Sequence, residues 1–486
     1  MDQIHRHRRD REPRQRWGRG CRTHWGHDDS SRVLWAHFTP YPARGRRGAG
    51  LLGVAGSSPV SATTGDSKLP NKGDSRYSVS HYSIGDTVRT GASGTHARVY
   101  GATTMTCRAE VATTSLLIDF ALVPKSVTVN GVSKPFKAAG TRYQWSITGV
   151  SLAKGQSFTL QVRYDDIPWN RVLLNRGTRG VIENGTVTTF SGEPEVAVFW
   201  YPSNDRIDNK ATYAISISTQ KANQIIAYGA PAPHTFGDGS MVNTRIVIPE
   251  RVSSYNPGLT VGPGLAVKRG KLTAAGVSVP YLYAGMASVP ANLVTHTAKS
   301  LDYFARLYGP YPFSQSGGLT LTNFPVGGQE QVGLVQYKRS LVDGSPSFIA
   351  HENAHMWFGN SVTAKDWRDV MFIHEGLAVL LQNDYARHAG IAGAYTPVKS
   401  TLAGSSGPEY LATSRYNYVY GAQRAIRYAM DRSYLRENAP RHTAFLKELA
   451  TTYRHANITR GQFKALAQKH SPVSLASVWA DYGISG

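Results

Sequence analysis

The hydrophobic period of this chain changes about halfway along, and that change limits the folds open to it. From about residue 77 to 270, short runs alternate apolar and polar residues or are rich in β-branched residues. One run, SVTV at 126–129, ends at Asn130-Gly131, a dipeptide typical of a β-hairpin turn. After residue 290, apolar residues recur every three to four positions, as in amphipathic helices. The sequence therefore predicts an α+β protein with an all-β first domain and a mostly helical second domain.

The length of the chain also favours two domains, because 486 residues are too many for one ordinary hydrophobic core. We expect residues 63–270 to form the β-rich domain and residues 271–486 to form the second domain. A few strands are expected around 318–340. Helices are predicted at 297–308, 347–358, 374–388, 420–434, 441–454 and 459–469.

Residues 1–62 are expected to be a disordered or targeting arm, because the first 50 are rich in Arg, His, Trp and Gly without a regular period. Arg46-Arg47 precede a weakly apolar run at 49–56 and small residues at 60–62, the order found in an export signal. The pattern favours a secreted protein, with a cytoplasmic protein as the alternative. Whether the mature protein keeps these residues is left open.

Composition narrows the class of protein further. Apolar residues make up 41% and charged residues 18%, as in soluble globular proteins, and no run is apolar enough for a transmembrane helix. The formal charge is +22, but Lys and Arg outside the arm are scattered singly, so no nucleic-acid partner is expected. The two cysteines, Cys21 and Cys107, provide no disulfide framework. The sequence does not predict an oligomeric state.

The sequence HENAH at 351–355 is an HExxH motif on a predicted helix. Residues four apart lie on one helical face, so His351 and His355 can reach one metal ion. Glu352 lies beside them, where it can deprotonate a metal-bound water. A catalytic zinc needs a third protein ligand, and Glu375 at the start of the next predicted helix is the candidate. The alternative is that Glu375 only interacts favourably with the helix dipole.

Several longer segments resemble one family, the aminopeptidase-N-like zinc metallopeptidases of the gluzincin group. The run HENAHMWFGNSVTAKDWRDVMFIHEGLA at 351–378 is similar to the metal-binding segment of that family. GGQEQVGLVQYKRSL at 327–341 resembles its exopeptidase segment, which has the core Gly-x-Met-Glu-Asn. The resemblance runs from about residue 77 to the end and includes YGPYPF at 308–313, NYVYGA at 417–422 and EPEVAVFWYPSNDRIDNKATY at 193–213.

The resemblance implies a saddle-like β domain followed by a thermolysin-like catalytic domain with one Zn²⁺ per chain. It also implies a role for each matching residue. Its metal ligands are His351, His355 and Glu375, its catalytic residues are Glu352 as general base and Tyr418 as donor to the oxyanion, and its substrate-binding residues are Glu330, Glu193, Gly327 and Gly328. In this scheme Glu330, assisted by Glu193, binds the free α-amino group of a peptide. The implied protein is a peptidase that removes amino-terminal residues from peptides.

The chain departs from the family pattern in ways that keep alternatives open. There are 19 residues between His355 and Glu375 where the family has 18, so His374 stands at the family spacing and is an alternative ligand. We prefer Glu375 and expect the loop before the helix to take up the extra residue. Gln329 and Gln331 replace the Met and Asn of the exopeptidase core, and Ser191 replaces a Gln. An endopeptidase, or a catalytically impaired scaffold or binding protein on the same fold, is therefore the alternative function.

Overall fold

The structure is a computed structural model that describes residues 66, 68–91, 95–140, 143–171, 180–193, 196–391, 416–433 and 439–484, with only the backbone described at 416–418. The predicted arm at 1–62, and with it the export signal, lies outside these residues. Within them, no helix is long and apolar enough to cross a membrane.

The first half of the described chain is built from strands, as the alternating pattern predicts. Along β11, for example, buried and half-buried residues alternate at every position. The strands are β1 (Tyr77–Arg89), β2 (Arg98–Ala109), β3 (Thr113–Asp119), β4 (Pro124–Val129), β5 (Val132–Ser133), β6 (Phe136–Ala138), β7 (Gln144–Leu152), β8 (Ser157–Asp166), β9 (Val181–Asn184), β10 (Val187–Phe190), β11 (Ala211–Gln220), β12 (Gln224–Ala227), β13 (His234–Phe236), β14 (Met241–Val252) and β15 (Leu259–Gly262).

These strands form three sheets. The largest has eight strands in the order β13-β14-β11-β1-β2-β8-β4-β5, a second has the order β12-β15-β10-β9, and a third has the order β3-β7-β6. In the largest sheet β1 and β11 are parallel, and the other neighbours are antiparallel. The hairpin predicted at Asn130-Gly131 is confirmed, because it joins β4 to β5 with φ angles of 51° and 78°.

The second half of the described chain combines one mixed sheet with helices. Its elements are β16 (Ala266–Ala274), β17 (Val277–Gly285), α1 (Ala291–Tyr308), β18 (Ser316–Leu321), β19 (Gly328–Gln329), β20 (Val335–Lys338), α2 (Arg339–Gly344), α3 (Pro346–Ala354), β21 (Val362–Ala364), α4 (Gly376–His388), α5 (Tyr416–Asp431), α6 (Pro440–Thr452), β22 (Ala456–Ile458), α7 (Arg460–His470) and α8 (Ala476–Asp481). Each predicted helix overlaps one of these. The domain boundary predicted at residue 270 falls inside β16.

The mixed sheet has the order β16-β17-β18-β20-β19, with β17, β18 and β20 parallel and β19 antiparallel at the edge. Helix α3 packs against both α1 and α4. Its Asn353 side chain donates a hydrogen bond to Ser300 of α1 (2.9 Å), which holds α3 in position along α1. The edge strand β19 and helix α3 together frame the candidate site.

Candidate metal centre and its surroundings

Helix α3 presents His351 from its last turn, and His355 follows as its C-terminal cap with helical backbone angles. The two Nε2 atoms are 3.3 Å apart. Glu375 completes a triangle, because its carboxylate oxygens lie 3.4 Å from His351 Nε2 and 3.6 Å from His355 Nε2. All three side chains are buried, and together they could hold a metal ion. The arrangement offers two imidazole nitrogens and one carboxylate.

The contacts of the two imidazole rings suit metal binding. His355 Nδ1 lies 3.3 Å from the Phe358 carbonyl, an acceptor that favours the tautomer with the hydrogen on Nδ1 and the lone pair on Nε2. His351 stacks on the Phe348 ring, with centroids 5.6 Å apart. Burial lowers the pKa of His351 to about 4, so this imidazole is neutral at pH 7. A neutral imidazole can bind a metal ion without first losing a proton.

Glu375 reaches the histidines from a π-helical turn, Met371–Glu375, which leads directly into α4. A π-turn places one more residue in each hydrogen-bonded ring than an α-turn. The connection that holds the extra residue between His355 and Glu375 therefore includes this π-turn as well as the loop before it, where the sequence led us to expect the extra residue.

The side chains of His374 and Glu375 point in different directions, as those of adjacent helical residues do. The backbone N–H of Ala364 donates to His374 Nε2 (2.9 Å), so that nitrogen is occupied away from the other two histidines. In the described part of the chain, two groups of side chains could hold a metal: His351, His355 and Glu375, and Glu330, Glu352 and His355. His374 belongs to neither group. The geometry favours Glu375 over His374 as the third ligand.

Glu352 lies beside the three donor atoms, buried against the edge strand. A β-carbon on Gly328 would collide with the Glu352 carboxylate, so the close approach of β19 depends on glycine at this position. The neighbouring Gly327 is anchored by its carbonyl, which accepts from the Lys338 backbone N–H (2.8 Å). Burial raises the pKa of Glu352 well above its ordinary value, and the carboxylates of Glu330 and Glu375 raise it further.

Glu330 and Glu193 form a second group next to Glu352, although they come from different halves of the chain. Both are buried, and one carboxylate oxygen of each has no hydrogen-bond partner among the described residues. Burial raises the pKa of Glu193 well above its ordinary value, and the adjacent Glu330 carboxylate raises it further. Two buried carboxyl groups in contact form a site that favours a cation.

Tyr418 belongs to the first turn of α5, but its side chain lies outside the described residues. The position of that turn is set by its neighbours. The Val419 carbonyl lies 3.2 Å from where a β-carbon on Gly376 would be, and Gln423 Nε2 donates to the Phe372 carbonyl (2.9 Å). The first turn of α5 therefore lies against the residue that follows Glu375.

The sequence analysis assigned no role to Asn360 or Lys210, and both support the site. Asn360 Nδ2 donates to the Glu330 carbonyl (2.6 Å) and fixes the backbone that carries this carboxylate. Lys210 Nζ, from the β-rich half, donates to the carbonyls of Asn360 (3.1 Å) and Ser361 (2.6 Å). Burial lowers the pKa of Lys210 well below its ordinary value. Both residues stand in segments that resemble the family, Asn360 in 351–378 and Lys210 in 193–213, but these side-chain contacts could not be predicted from the sequence.

Comparisons with known proteins place His351, His355 and Glu375 in a segment that matches a family model. Residues 293–402 match the family model described as the peptidase family M1 domain. The chain is 38% identical over 106 residues to aminopeptidase N of Canis lupus familiaris, covering 18% of this chain and 11% of that protein. It is 31% identical over 195 residues to aminopeptidase N of Lactococcus lactis subsp. cremoris, covering 37% and 22%. The chain thus spans less than a quarter of the length of either relative.

Solved structures match over far more of the chain. An M1 zinc metallopeptidase from Deinococcus radiodurans is 22% identical, with a TM-score of 0.72, covering 86% of this chain and 95% of that one. A mutant of an M1 zinc metallopeptidase from the same organism, bound to a Tyr-Ser-Ala substrate, is 21% identical with a TM-score of 0.71, covering 86% and 96%. These likenesses show a shared two-domain fold. The resemblance to the aminopeptidase-N-like metallopeptidases is confirmed.

Proposed function

We propose that this chain, which carries a peptidase family M1 domain, is a zinc-dependent aminopeptidase that releases amino-terminal residues from peptides. One observation carries the proposal. A buried triad of His351, His355 and Glu375 lies next to a pair of buried carboxyl groups, Glu330 and Glu193, that favours a cation. The first group suits a hydrolytic metal, and the second suits the α-ammonium group of a peptide.

The metal is Zn²⁺, one per chain, because the donor set fits that ion. Two imidazole nitrogens and one carboxylate, with the remaining position left to water, are the ligands of many catalytic zinc sites. A structural zinc would take a fourth protein ligand, and the described Cys107 is buried in the β-rich half on β2. When bound, Zn²⁺ polarises the scissile carbonyl and lowers the pKa of its water.

The residues of the chain then divide the work of hydrolysis. Glu352 takes a proton from the attacking water and passes it to the leaving amine. Tyr418 donates a hydrogen bond to the developing oxyanion, a role supported by the packing of its helical turn against Gly376. Glu330 and Glu193 bind the α-ammonium group, and Gly327 and Gly328, whose chain lies close to Glu352, also contact the substrate.

The finer features of the architecture belong to the same proposal. Residues 63–270 form a saddle-like β domain and residues 271–486 a thermolysin-like catalytic domain. The strand-rich first half and the mixed sheet with helices in the second support this division. The partners are peptides with a free amino terminus.

Substrates with and without a free amino group test the proposal directly. Zinc-loaded enzyme should hydrolyse aminoacyl fluorogenic amides and leave their amino-terminally acetylated forms intact. Glu330→Ala should lower kcat/KM about a hundredfold on the free-amino amides, because a charge-assisted contact with the ammonium is lost. The zinc content of the variant should equal that of the wild type.

Two results would contradict the proposal in different ways. Equal cleavage of acetylated and free substrates would identify an endopeptidase on the same metal site. Stoichiometric zinc without hydrolysis of any substrate in the panel would identify an impaired enzyme or a binding protein.

A further inference from the structure

Three glutamines on the β19–β20 hairpin contact one short segment of the β-rich half, residues 190–193. Gln329 Nε2 donates to the Glu193 carbonyl (2.7 Å), and Gln336 Nε2 donates to the Phe190 carbonyl (2.9 Å). In the orientation that satisfies its whole amide, Gln331 donates to the Gln329 carbonyl (2.9 Å) and accepts from the Gly192 N–H (3.3 Å). We call these bonds the glutamine contact.

The glutamine contact is closely packed and shielded from water. Its three glutamines are at most 5% exposed. A β-carbon on Gly192 would collide with the Tyr255 backbone, and one on Gly258 would lie 2.7 Å from Gln331 Cγ. Small shifts of this segment are therefore resisted from both sides.

Fixing this segment matters because of what Glu193 faces. Its carboxyl group lies beside that of Glu330 in a buried site, so the two can bind one ammonium group together only while their separation is held. The hydrogen bond from Gln329 Nε2 to the Glu193 carbonyl restrains the backbone that carries the Glu193 side chain. Gln329 precedes Glu330 in the chain and bonds to the Glu193 carbonyl, so one residue connects the two acids.

We propose that Gln329 is a positioning residue that holds Glu193 beside Glu330 and so sets how tightly the α-ammonium group of the substrate binds. The inference rests on the proposed aminopeptidase function. The orientation of the Gln329 amide follows from chemistry, because a carbonyl oxygen only accepts and its partner must be the NH₂ group. Methionine and leucine have no such donor, so either replacement breaks the bond.

The test compares Gln329→Met with Gln336→Met in zinc-loaded enzyme. Both remove one buried hydrogen bond to the same segment, but only the first bond reaches Glu193. On free-amino aminoacyl amides, Gln329→Met should raise KM about tenfold, with kcat changed by less than about threefold. Gln336→Met should leave KM within about twofold of the wild type, even if its Tm falls as much as that of Gln329→Met.

A double-mutant cycle separates positioning from a general loss of structure. If Gln329 acts through Glu193, Gln329→Met should add nothing to the KM of a Glu193→Ala enzyme. Gln329→Leu, an apolar replacement of similar size, provides a second variant without the donor, and its KM should also rise.

Three outcomes would overturn the inference. They are an unchanged KM in Gln329→Met or Gln329→Leu, equal KM increases in Gln329→Met and Gln336→Met, and a Gln329→Met effect that persists in the Glu193→Ala background. Failure of the proposed function has a different signature. In that case the wild type itself would not distinguish free from acetylated substrates.

Discussion

His374 and Glu375 are adjacent in the chain, yet their side chains meet different partners. The Glu375 carboxylate lies within 3.6 Å of both histidine Nε2 atoms, whereas His374 Nε2 accepts from the Ala364 backbone. Their roles can therefore be separated by mutation. The difference follows from the helical backbone, on which adjacent side chains point in different directions.

Replacing Glu375 should weaken zinc binding strongly, whereas replacing His374 should change zinc binding little. Glu375→Ala removes one of three protein ligands, so its zinc affinity should fall more than a hundredfold. His374→Ala removes a buried acceptor and should cost about 1–3 kcal/mol of stability, while zinc affinity stays within about tenfold. Zinc titration against a chelating indicator measures the zinc affinity of both variants. Weaker zinc binding in His374→Ala than in Glu375→Ala would make His374 the third ligand.

Glu352 offers a second test at the scale of one residue. Glu352→Gln keeps the shape that packs against Gly328 but removes the proton acceptor. The variant should bind zinc at one ion per chain and lose about 10²- to 10⁴-fold in kcat. Parallel measurement of metal content and steady-state rates provides the control. Activity near that of the wild type would assign proton transfer to another group.

Individual residues differ in how far the sequence reveals them. The HExxH spacing predicted that His351 and His355 face one point, because helical geometry alone brings residues four apart together. The contact of Glu193 with Glu330 and the bonds from Lys210 to Asn360 and Ser361 join residues over a hundred positions apart. No local pattern records such contacts. Gln329 and Gln331 were visible only as departures from a family core, and their contact with residues 190–193 needed the structure.

At the scale of elements, the hydrophobic period predicted helices and strands well but not the irregular turn at the site. The predicted helix 374–388 is observed as α4 preceded by the π-turn Met371–Glu375. An apolar period near 3.6 does not distinguish an α-turn from a single π-turn, because both bury the same face. Only the count of 19 residues after His355 hinted at the irregularity.

The contact between α4 and α5 shows how elements beyond the motif support the site. Arg427 of α5 forms a buried ion pair with Asp384 of α4, with Nη1 and Oδ1 2.8 Å apart. Helix α4 continues the π-turn that carries Glu375, and the first turn of α5 carries Tyr418. The ion pair therefore joins the helix of the third metal ligand to that of the proposed oxyanion donor.

Strand β1 carries a buried acid whose ionisation should be visible in stability. Asp86 accepts from Tyr164 (2.7 Å) and Trp200 Nε1 (3.2 Å), yet burial raises its pKa to about 7. An unfolded aspartate has a pKa near 3.9, so between about pH 4 and 7 the folded state binds more protons. The contribution of Asp86 to the free energy of unfolding is thus complete at low pH and declines as pH rises through 7.

The variant Asp86→Asn cannot ionise and should lack this decline. Between pH 5 and 8, the free energy of unfolding of the wild type relative to Asp86→Asn should fall by roughly 1–3 kcal/mol. Urea denaturation of both proteins at several pH values measures the difference, and other titrating groups cancel in it. A difference that is flat, or that grows in favour of the wild type as pH rises, would contradict the assignment.

For the whole molecule, the candidate site lies where the two halves of the chain meet. The proposed metal ligands come from the second half, while Glu193 and the supporting Lys210 come from the β-rich half. Asn256 adds a further link by donating to Asn360 Oδ1 (2.6 Å). The period change predicted both halves, but contacts between them depend on three-dimensional packing, which a pattern along one chain does not encode.

Because the three proposed ligands come from α3 with its C-terminal cap and from the π-turn, bound zinc should stabilise the folded protein. The ion links His351 and His355 to Glu375 and offsets the mutual repulsion of buried carboxylates near Glu352. A ligand at a hundred times its Kd adds about 2.7 kcal/mol to the free energy of unfolding. Removing zinc with a chelator should therefore lower Tm by several degrees, and adding zinc back should restore it. His355→Ala should start near the lower Tm and not respond to the chelator. If the wild type lost its zinc with no change in Tm, the ion would not be held jointly by α3 and the π-turn, and the assignment of Glu375 as a ligand would fail.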